Sequence, residues 1–534
     1  MKTTIKNLIL SAALVVGGAS CVDLDTAPYD RETDLTYWEE DPEAAVKALN
    51  TCYTYLGNMD EQLYCEAMTD NAYTKQPNDA TQNIGNGSYS TADPYVKKVW
   101  DGRYTGIRMC NELLENIDRV PDLDPELKKR YIGEAKVLRA YNYYELYTKF
   151  GDVPYTTKVL SIKESMSIAR TAKATVIANV LADLDEVING NYLPTSYDAD
   201  NKGRITRWAA MAIKAKIYLF EGNWTQVKNI TSTIMTEGGF KLFGSYAGLF
   251  EIANEYNSEV ILDAQYRPTS REHQMMYVFL PPTLGGYSQL SPLQELVDSY
   301  IMLDGKTIKE TGTSFDESHP YANRDPRLKA TVMYTGNSYT LADGTEVVIN
   351  CEKGEGKDGY GVGSDCSATG YYIKKYWDNT YRATLYSGLN PILIRYADIL
   401  LMNAEALAEL GELDKTAWDA TIKPIRDRAG FTLASAVEFP EGASKDKLIE
   451  IVRNERRSEL ALEGHRHKDI IRWRIADNVL NGWCHGLKTN DVVGTDDGYV
   501  RVENRTFNAN KHYLWPIPQA ERDLNGNLVQ NPNW

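Results

Sequence analysis

A helical periodicity of apolar residues runs through most of the 534-residue chain, and it limits the chain to a mainly helical fold. It is clearest in residues 97–118, where Trp100, Tyr104, Ile107 and Asn111 follow one another at spacings of four, three and four. These spacings place the four side chains on one helix face, which predicts that Trp100 is a core residue. The same periodicity predicts further helices at 41–57, 125–149 and 171–189.

Two segments share a helix-turn-helix pattern. Residues 206–236 break at Gly222-Asn223, and residues 391–428 break at Gly411. Each contains an alanine, six intervening residues, a glycine and then a bulky apolar residue: Ala215, Gly222 and Trp224 in the first copy, Ala404, Gly411 and Leu413 in the second. The alanine lets two helices approach closely and the glycine turns the chain, which resembles the tetratricopeptide unit. Because over 150 residues separate the copies, we expect a helical scaffold and not a continuous solenoid.

Three long segments break the helical pattern. Residues 71–96 are polar and rich in tyrosine, and residues 258–290 begin with the strand-like run Val260-Ile261-Leu262 and contain further tyrosines. Residues 336–370 are rich in glycine and include short β-like runs. Since long loops in compact proteins usually carry function or are disordered, binding residues are expected in these segments.

The N-terminus resembles a bacterial lipoprotein signal. A basic start is followed by the apolar run 8–16, four small residues and Cys21, although Gly18 stands where such signals usually carry leucine. The apolar run is too short to cross a bilayer, which needs about 20 residues. We therefore expect residues 1–20 to be a signal peptide and Cys21 to be lipidated, so that the protein is exported and anchored by lipid; the alternative is an ordinary secretory signal.

Composition narrows the possible partners. The net charge is −16, and it becomes −18 without residues 1–20, which contain two lysines and no acidic residue. An acidic chain is poorly suited to nucleic acid or anionic membrane surfaces. The 36 tyrosines suit surfaces that need an apolar ring with a polar tip, but they suit helical cores equally well. The six remaining cysteines show no metal-binding spacing; Cys351–Cys366 is the nearest pair for a disulfide, and buried free thiols are the alternative.

A search for catalytic motifs finds no G-x-S-x-G, H-E-x-x-H, P-loop or dinucleotide fingerprint. The cluster His465-Arg466-His467 is a poor metal site because cations are interleaved with the histidines. Residues 453–473 are dense in both charge signs, which predicts a structural helix with salt bridges at a spacing of three residues: Arg456–Glu459, Glu463–Arg466 and Asp469–Arg472. We expect no catalytic residue, no metal and no cofactor.

An ordered set of motifs resembles the SusD/RagB family of outer-membrane nutrient-binding lipoproteins. The motifs cover nearly the whole mature chain and include GEAKVLRAY (133–141), FGDVP (150–154), RDPRL (324–328), GYYIKKY (370–376), IRYADILL (394–401), RDRAG (426–430), the run 455–473 and LWPIP (514–518). The resemblance implies a mostly α fold, in which tetratricopeptide-like helix pairs form one superhelical scaffold beside a loop-rich part with short β segments. We expect an N-terminal region at 21–255 packed with a C-terminal region at 256–534.

The resemblance also implies a function. Family members bind glycans without cleaving them and pass them to a TonB-dependent, SusC-like barrel transporter. Because their ligand contacts come from variable loops, we select loop aromatics and polar neighbours as candidate ligand-binding residues: Asp70, Tyr73, Asn86, Tyr89, Tyr277, Tyr287 and Trp377. Sugar rings pack on aromatic planes, and their hydroxyl groups need directional polar partners.

Three alternative functions remain open. The first is uptake of peptides, as in the RagB branch of the family. The second is a surface glycosidase, which needs two carboxylates about 5–10 Å apart across a cleft. The third is a lid that gates a transporter and binds no ligand itself.

Overall fold

Helices make up most of the regular structure in the computed structural model, which describes residues 33–75, 81–378, 380 and 384–534. The predicted signal peptide and Cys21 lie outside these residues. The helices are α1 (Asp34–Glu40), α2 (Ala44–Tyr53), α3 (Met59–Glu66), α4 (Gln82–Asn86), α5 (Pro94–Asn116), α6 (Pro125–Phe150), α7 (Ile162–Ser165), α8 (Lys173–Asn189), α9 (Arg207–Phe220), α10 (Trp224–Glu237), α11 (Met275–Phe279), α12 (Gln294–Ser299), α13 (Pro326–Thr331), α14 (Tyr396–Leu410), α15 (Lys415–Ala420), α16 (Ile422–Ala429), α17 (Ala434–Val437), α18 (Lys445–Glu459), α19 (Arg466–Arg472), α20 (Ala476–Val479) and α21 (Gln519–Leu524).

Local sequence signals set the ends of the two longest helices. α5 and α6 both start at a proline that follows an aspartate cap, and the Asp93 carboxylate accepts hydrogen bonds from two backbone N–H groups of the first turn of α5. Proline suits the first helical position because it lacks an N–H that the helix could not use there. Trp100 is 4% exposed and packs edge-on against Phe150, with 5.0 Å between ring centroids. The prediction that it is a core residue is confirmed.

The longer helices pack one after another into a series. α5 packs on α6, α6 on α8, α8 on α9 and α9 on α10, and the predicted turn between α9 and α10 has Gly222 at a φ of 69°. α10 then packs on α14, although some 150 residues separate them, and the buried Asn403 amide donates to the Thr231 hydroxyl at 2.9 Å. The two helix-turn-helix copies are thus distant in sequence and adjacent in space.

The second copy differs in detail from the sequence prediction. Its first residues form a strand instead of helix, because 392–395 pair with an earlier strand. After Gly411, which has a φ of 74°, two short helices, α15 and α16, replace the single predicted one. The mostly helical, tetratricopeptide-like fold is otherwise confirmed.

Short antiparallel strands form the loop-rich part. They are β1 (Ala72–Thr74), β2 (Val260–Asp263), β3 (Leu290–Pro292), β4 (Val332–Met333), β5 (Ser338–Thr340), β6 (Glu346–Val348), β7 (Tyr372–Ile373), β8 (Ile392–Arg395), β9 (Gly482–Lys488), β10 (Thr495–Asp496) and β11 (Tyr499–Arg505). They pair as β1–β3, β2–β8, β4–β7 and β5–β6, with one three-stranded sheet in the order β10-β11-β9. Two large apolar clusters result, one in the helical series and one under the loop-rich part.

A buried network of ion pairs joins the motifs that were recognised in the sequence. Its five cations are Arg327, Lys375, Arg395, Arg426 and Arg428, and its five anions are Glu259, Asp325, Glu455, Glu459 and Glu463. The charges balance, and each is within ion-pair distance of an opposite charge, as burial of charge requires. The motifs therefore meet in the core, where they hold the scaffold together.

The predicted salt bridges within residues 453–473 are only partly correct. Asp469 and Arg472 do pair, at 2.8 Å. Glu463 instead pairs with Lys375 and Arg395, and Glu459 with three distant arginines. The spacing rule assumes exposed side chains on one helix, whereas these side chains are buried and α18 ends before Glu463. Among the described helices, none combines the length and the apolar content that crossing a bilayer requires.

Candidate functional site

Two of the predicted ligand-binding tyrosines form a stacked pair. Tyr277 lies on α11, and the chain turns back so that the Tyr287 N–H donates to the Tyr277 carbonyl at 2.8 Å. The ring centroids are 5.8 Å apart and the planes differ by 13°. Tyr287 is 46% exposed. We call this pair the tyrosine platform, since a flat aromatic surface open to solvent can accept the C–H face of a sugar ring.

Tyr73 and Asn86 both form side-chain hydrogen bonds within the protein. Tyr73 is on β1 opposite Ser291 of β3, and its hydroxyl accepts a hydrogen bond from the Gln82 amide at 3.1 Å. Asn86, four residues along α4 from Gln82, donates to the Glu503 carboxylate at 3.2 Å. Burial raises the pKa of Tyr73, which keeps its hydroxyl protonated. Both side chains are partly buried and already form hydrogen bonds. They could therefore bind a ligand only through polar groups that these hydrogen bonds already use.

The structure places the other three predicted residues in internal contacts. Asp70 is buried, and both of its carboxylate oxygens accept hydrogen bonds from Arg466 at 2.8 Å. Burial would raise the pKa of Asp70, but Arg457 and Arg466 outweigh it and hold that pKa below its usual range. Tyr89 is 5% exposed and packs against Trp534, with 4.7 Å between centroids. These contacts give Asp70 and Tyr89 structural roles.

Trp377 is half-buried. Its indole N–H donates to the Thr340 carbonyl at 2.7 Å, and its ring packs against Tyr339. These contacts place it beside the β5–β6 hairpin. The seven candidates therefore fall into separate places, and only Tyr277 and Tyr287 present a joint aromatic surface.

A cleft of about 470 Å³ opens between the α2–α3 turn and α5, and it includes Gln289, two residues after Tyr287 of the tyrosine platform. Its walls are Thr54, Tyr55, Gly57, Asn58, Asp60, Glu61, Tyr64, Tyr95, Lys98, Val99, Gly102, Arg103 and Gln289. Asn58 caps α3 by accepting from the Glu61 N–H at 2.8 Å, which turns the first residues of α3 toward the cleft. Glu61 forms an ion pair with Arg103 across it. The volume is within the range of small-molecule sites, about 300–1,000 Å³.

Sequence reasoning missed the cleft because its walls come from helices that were assigned to the scaffold. Gly102 was a signal of the cleft in the sequence. It lies within a long amphipathic helix, where glycine costs about 1 kcal/mol relative to alanine. A β-carbon placed on Gly102 would have no atom within 4 Å. This glycine therefore faces open space and does not permit a close helix contact.

The cleft contains no pair of opposed carboxylates. Its two acids, Asp60 and Glu61, are neighbours on α3, and Arg103 neutralises Glu61. Within the described ranges, no group of three or more histidine, cysteine or acidic side chains is arranged for a metal ion. Burial lowers the pKa of both His465 and His467 to about 3, so both are neutral, and His465 lies 3.4 Å from the Lys216 amine. The six described cysteines are buried free thiols.

Comparison with known proteins places the chain in a family. Residues 249–534, more than half of the chain, match the model of the SusD family. The chain belongs to the SusD family. Residues 37–219 match a second SusD-like model, described as "Starch-binding associating with outer membrane".

Similar proteins span the full length of this SusD family member. A SusD-like protein of Formosa agariphila is 27% identical over 99% of this chain and 98% of its own. A solved SusD-like carbohydrate binding protein from Bacteroides fragilis is 28% identical, with a TM-score of 0.82 over 92% of this chain and 100% of its own. A second SusD-like protein of B. fragilis is 27% identical, with a TM-score of 0.81 over 95% and 100%. The family resemblance seen in the motifs is confirmed.

Proposed function

We propose that this protein binds glycans at the tyrosine platform and does not cleave them. The observation that carries the proposal is the stacked, solvent-open pair Tyr277–Tyr287. Aromatic planes accept the apolar faces of sugar rings. The hydroxyl groups at the edges of the sugar rings then stay free to bond polar neighbours. Membership in the SusD family supports this assignment, as does the similarity to a protein named for carbohydrate binding.

Glycan hydrolysis is the less favoured alternative. A glycosidase places two carboxylates about 5–10 Å apart on either side of the scissile bond. The cleft beside the platform offers two acids on the same turn of α3, one of them already in an ion pair. A ligand there would meet carboxylates from one side only, which suits hydrogen bonding and not acid–base cleavage.

We also propose that the bound glycan passes to a SusC-like TonB-dependent transporter, with the protein held at the outer membrane through lipidated Cys21. The family and the N-terminal sequence support this step. Mass spectrometry of the N-terminal peptide from cell envelopes should find a diacylglyceryl group on Cys21, and Cys21→Ser should release the protein from the membrane fraction. A Cys21→Ser protein that stays membrane-bound would contradict the anchor.

Calorimetric titration with laminarin and maltoheptaose, both neutral glycans, tests binding at the platform. Tyr287→Ala and Tyr277→Ala should each weaken binding about tenfold or more, which corresponds to about 1.4 kcal/mol. Trp483→Ala is the matched control, because Trp483 is a similarly exposed ring (43%) on β9. Chromatography of the incubated glycans should show no shorter products. Steady release of products, or displacement of the glycan by peptides at similar affinity, would contradict the proposal.

A further inference from the structure

The cleft beside the platform contains polar groups that the protein itself does not use. In the described part of the chain, the side chains of Asp60, Lys98 and Gln289 form no hydrogen bond or close ion pair with another residue. Asp60 can only accept hydrogen bonds when ionised, Lys98 can only donate, and the Gln289 amide can do both. A hydroxyl-rich molecule can satisfy all three, since each hydroxyl both donates and accepts.

The charges of the cleft favour a neutral ligand. Two acidic groups, Asp60 and Glu61, are balanced by two basic groups, Lys98 and Arg103. Asp60 and Lys98 are both exposed side chains, and they attract each other electrostatically. A ligand without charge leaves this balance undisturbed, whereas an additional anionic group would be repelled by Asp60 and Glu61.

A short segment connects the tyrosine platform to the cleft. Tyr287 belongs to the platform, and Gln289 lines the cleft. The Gln289 N–H donates to the Val278 carbonyl at 2.6 Å, which ties this segment to α11 beside Tyr277. The Cα atoms of residues two apart in a chain are at most about 7 Å apart. A molecule that lies on Tyr287 is therefore close to Gln289 and the cleft.

Other polar residues of the cleft are engaged within the protein. Glu61 and Arg103 form an ion pair, and Arg103 also donates to the Tyr55 carbonyl at 3.0 Å. Hydrogen bonds to a ligand are therefore expected from Asp60, Lys98 and Gln289.

We propose that the cleft binds residues of a neutral oligosaccharide whose adjoining residues lie on the tyrosine platform. The inference rests on the proposed glycan-binding function and adds a subsite and a charge class. The groups that contact the sugar are Asp60, Lys98 and Gln289.

Gly102 allows the cleft to be filled without disturbing the fold. Gly102→Phe places a ring in the open space of the cleft, because a β-carbon there meets no atom within 4 Å. Arg108→Phe is the matched control, since it adds the same side chain at an exposed position of the same helix outside the cleft. Both variants should melt close to the wild-type temperature.

The test measures affinity for β-1,3-linked and α-1,4-linked glucose oligosaccharides, from disaccharide to heptasaccharide, with oligogalacturonides as acidic counterparts. In the series that binds, affinity for the wild type should rise with length as platform and cleft both fill. Gly102→Phe should flatten this rise and weaken the longest oligosaccharide about tenfold, Asp60→Asn should weaken it less, and Arg108→Phe should change nothing. Acidic oligosaccharides of equal length should bind more weakly to the wild type.

The outcomes separate the two proposals. If Tyr287→Ala loses binding while Gly102→Phe binds like the wild type, the cleft is not a subsite and the glycan-binding proposal stands. Stronger binding of the acidic series overturns the assigned charge class. If neither neutral series binds, or if Tyr287→Ala has no effect, the proposed function itself fails and the cleft inference fails with it.

Discussion

Arg395 is held by three carboxylates at once. Its guanidinium donates to Glu259 at 2.7 Å, to Glu459 at 2.6 Å and to both oxygens of Glu463 at 2.7 Å, and the side chain is 1% exposed. Burial alone would raise the pKa of Glu459, but the surrounding arginines, Arg428 and Arg395 foremost, hold it well below its usual range. Each charge is therefore buried only because its partners are present.

We expect Arg395→Met to destabilise the protein by about 3–5 kcal/mol, because it leaves three buried carboxylates with too few cations. Arg119→Ala is the control: it breaks ion pairs to Asp34 and Glu39 that are largely exposed, and it should cost far less stability because water screens such pairs. Urea unfolding followed by circular dichroism measures both. Equal losses in the two variants would show that the network contributes no more than surface charges do.

At the scale of elements, one histidine connects the three-stranded sheet β10-β11-β9 to a neighbouring helix. His485 of β9 contacts Glu295 of α12 through Nδ1 at 2.8 Å and Asp496 of β10 through Nε2 at 3.1 Å. The hydrogen bond to Glu295, and next the one to Asp496, raises the pKa of His485 above its ordinary value of 6.5. Protonated His485 thus links the sheet to a helix of the loop-rich part.

Because the pKa of His485 is raised in the folded protein, the stability that His485 contributes depends on pH. The stabilisation from charged His485 is complete below about pH 6.5, where the residue is protonated in both folded and unfolded chains, and it is lost as the pH rises through the higher folded value. We expect the difference in melting temperature between wild type and His485→Gln to be largest near pH 5.5 and to shrink toward pH 8.5. The exposed His319→Gln serves as control. A difference that grows with pH would refute the assignment.

Local sequence signals predicted the helices well and the side-chain partners poorly. The helix predicted at 125–149 is observed at Pro125–Phe150, since proline, the aspartate cap and the following glycine act within a few residues. By contrast, Asp70 was predicted as a loop ligand, and its partner Arg466 lies 396 residues away. The cleft was missed for the same reason, because α2, α3, α5 and Gln289 become neighbours only in the folded chain. Tyr277 and Tyr287 could be selected from the sequence because tyrosines concentrated in a segment without helical periodicity leave a compositional signal.

At the scale of the whole molecule, the two predicted regions share their core. Ile261, Leu262, Ile394 and Trp515 belong to the same apolar cluster as the helices of the first region. Buried ion pairs also cross between the regions, among them Asp70–Arg466 at 2.8 Å and Lys216–Asp398 at 2.5 Å. Neither region can bury its apolar and charged surface without the other.

This arrangement predicts that the protein unfolds as one unit. Fragments 21–255 and 256–534, expressed separately, should be insoluble or lack a cooperative transition, because each exposes apolar surface that the other covers in the intact protein. The intact protein should give a single calorimetric transition. Asp70→Asn should lower its midpoint without splitting it, since the unpaired Arg457 and Arg466 weaken a contact on which both regions depend. A second transition in the intact protein, or a 21–255 fragment that folds alone, would show instead that the two regions are independent domains.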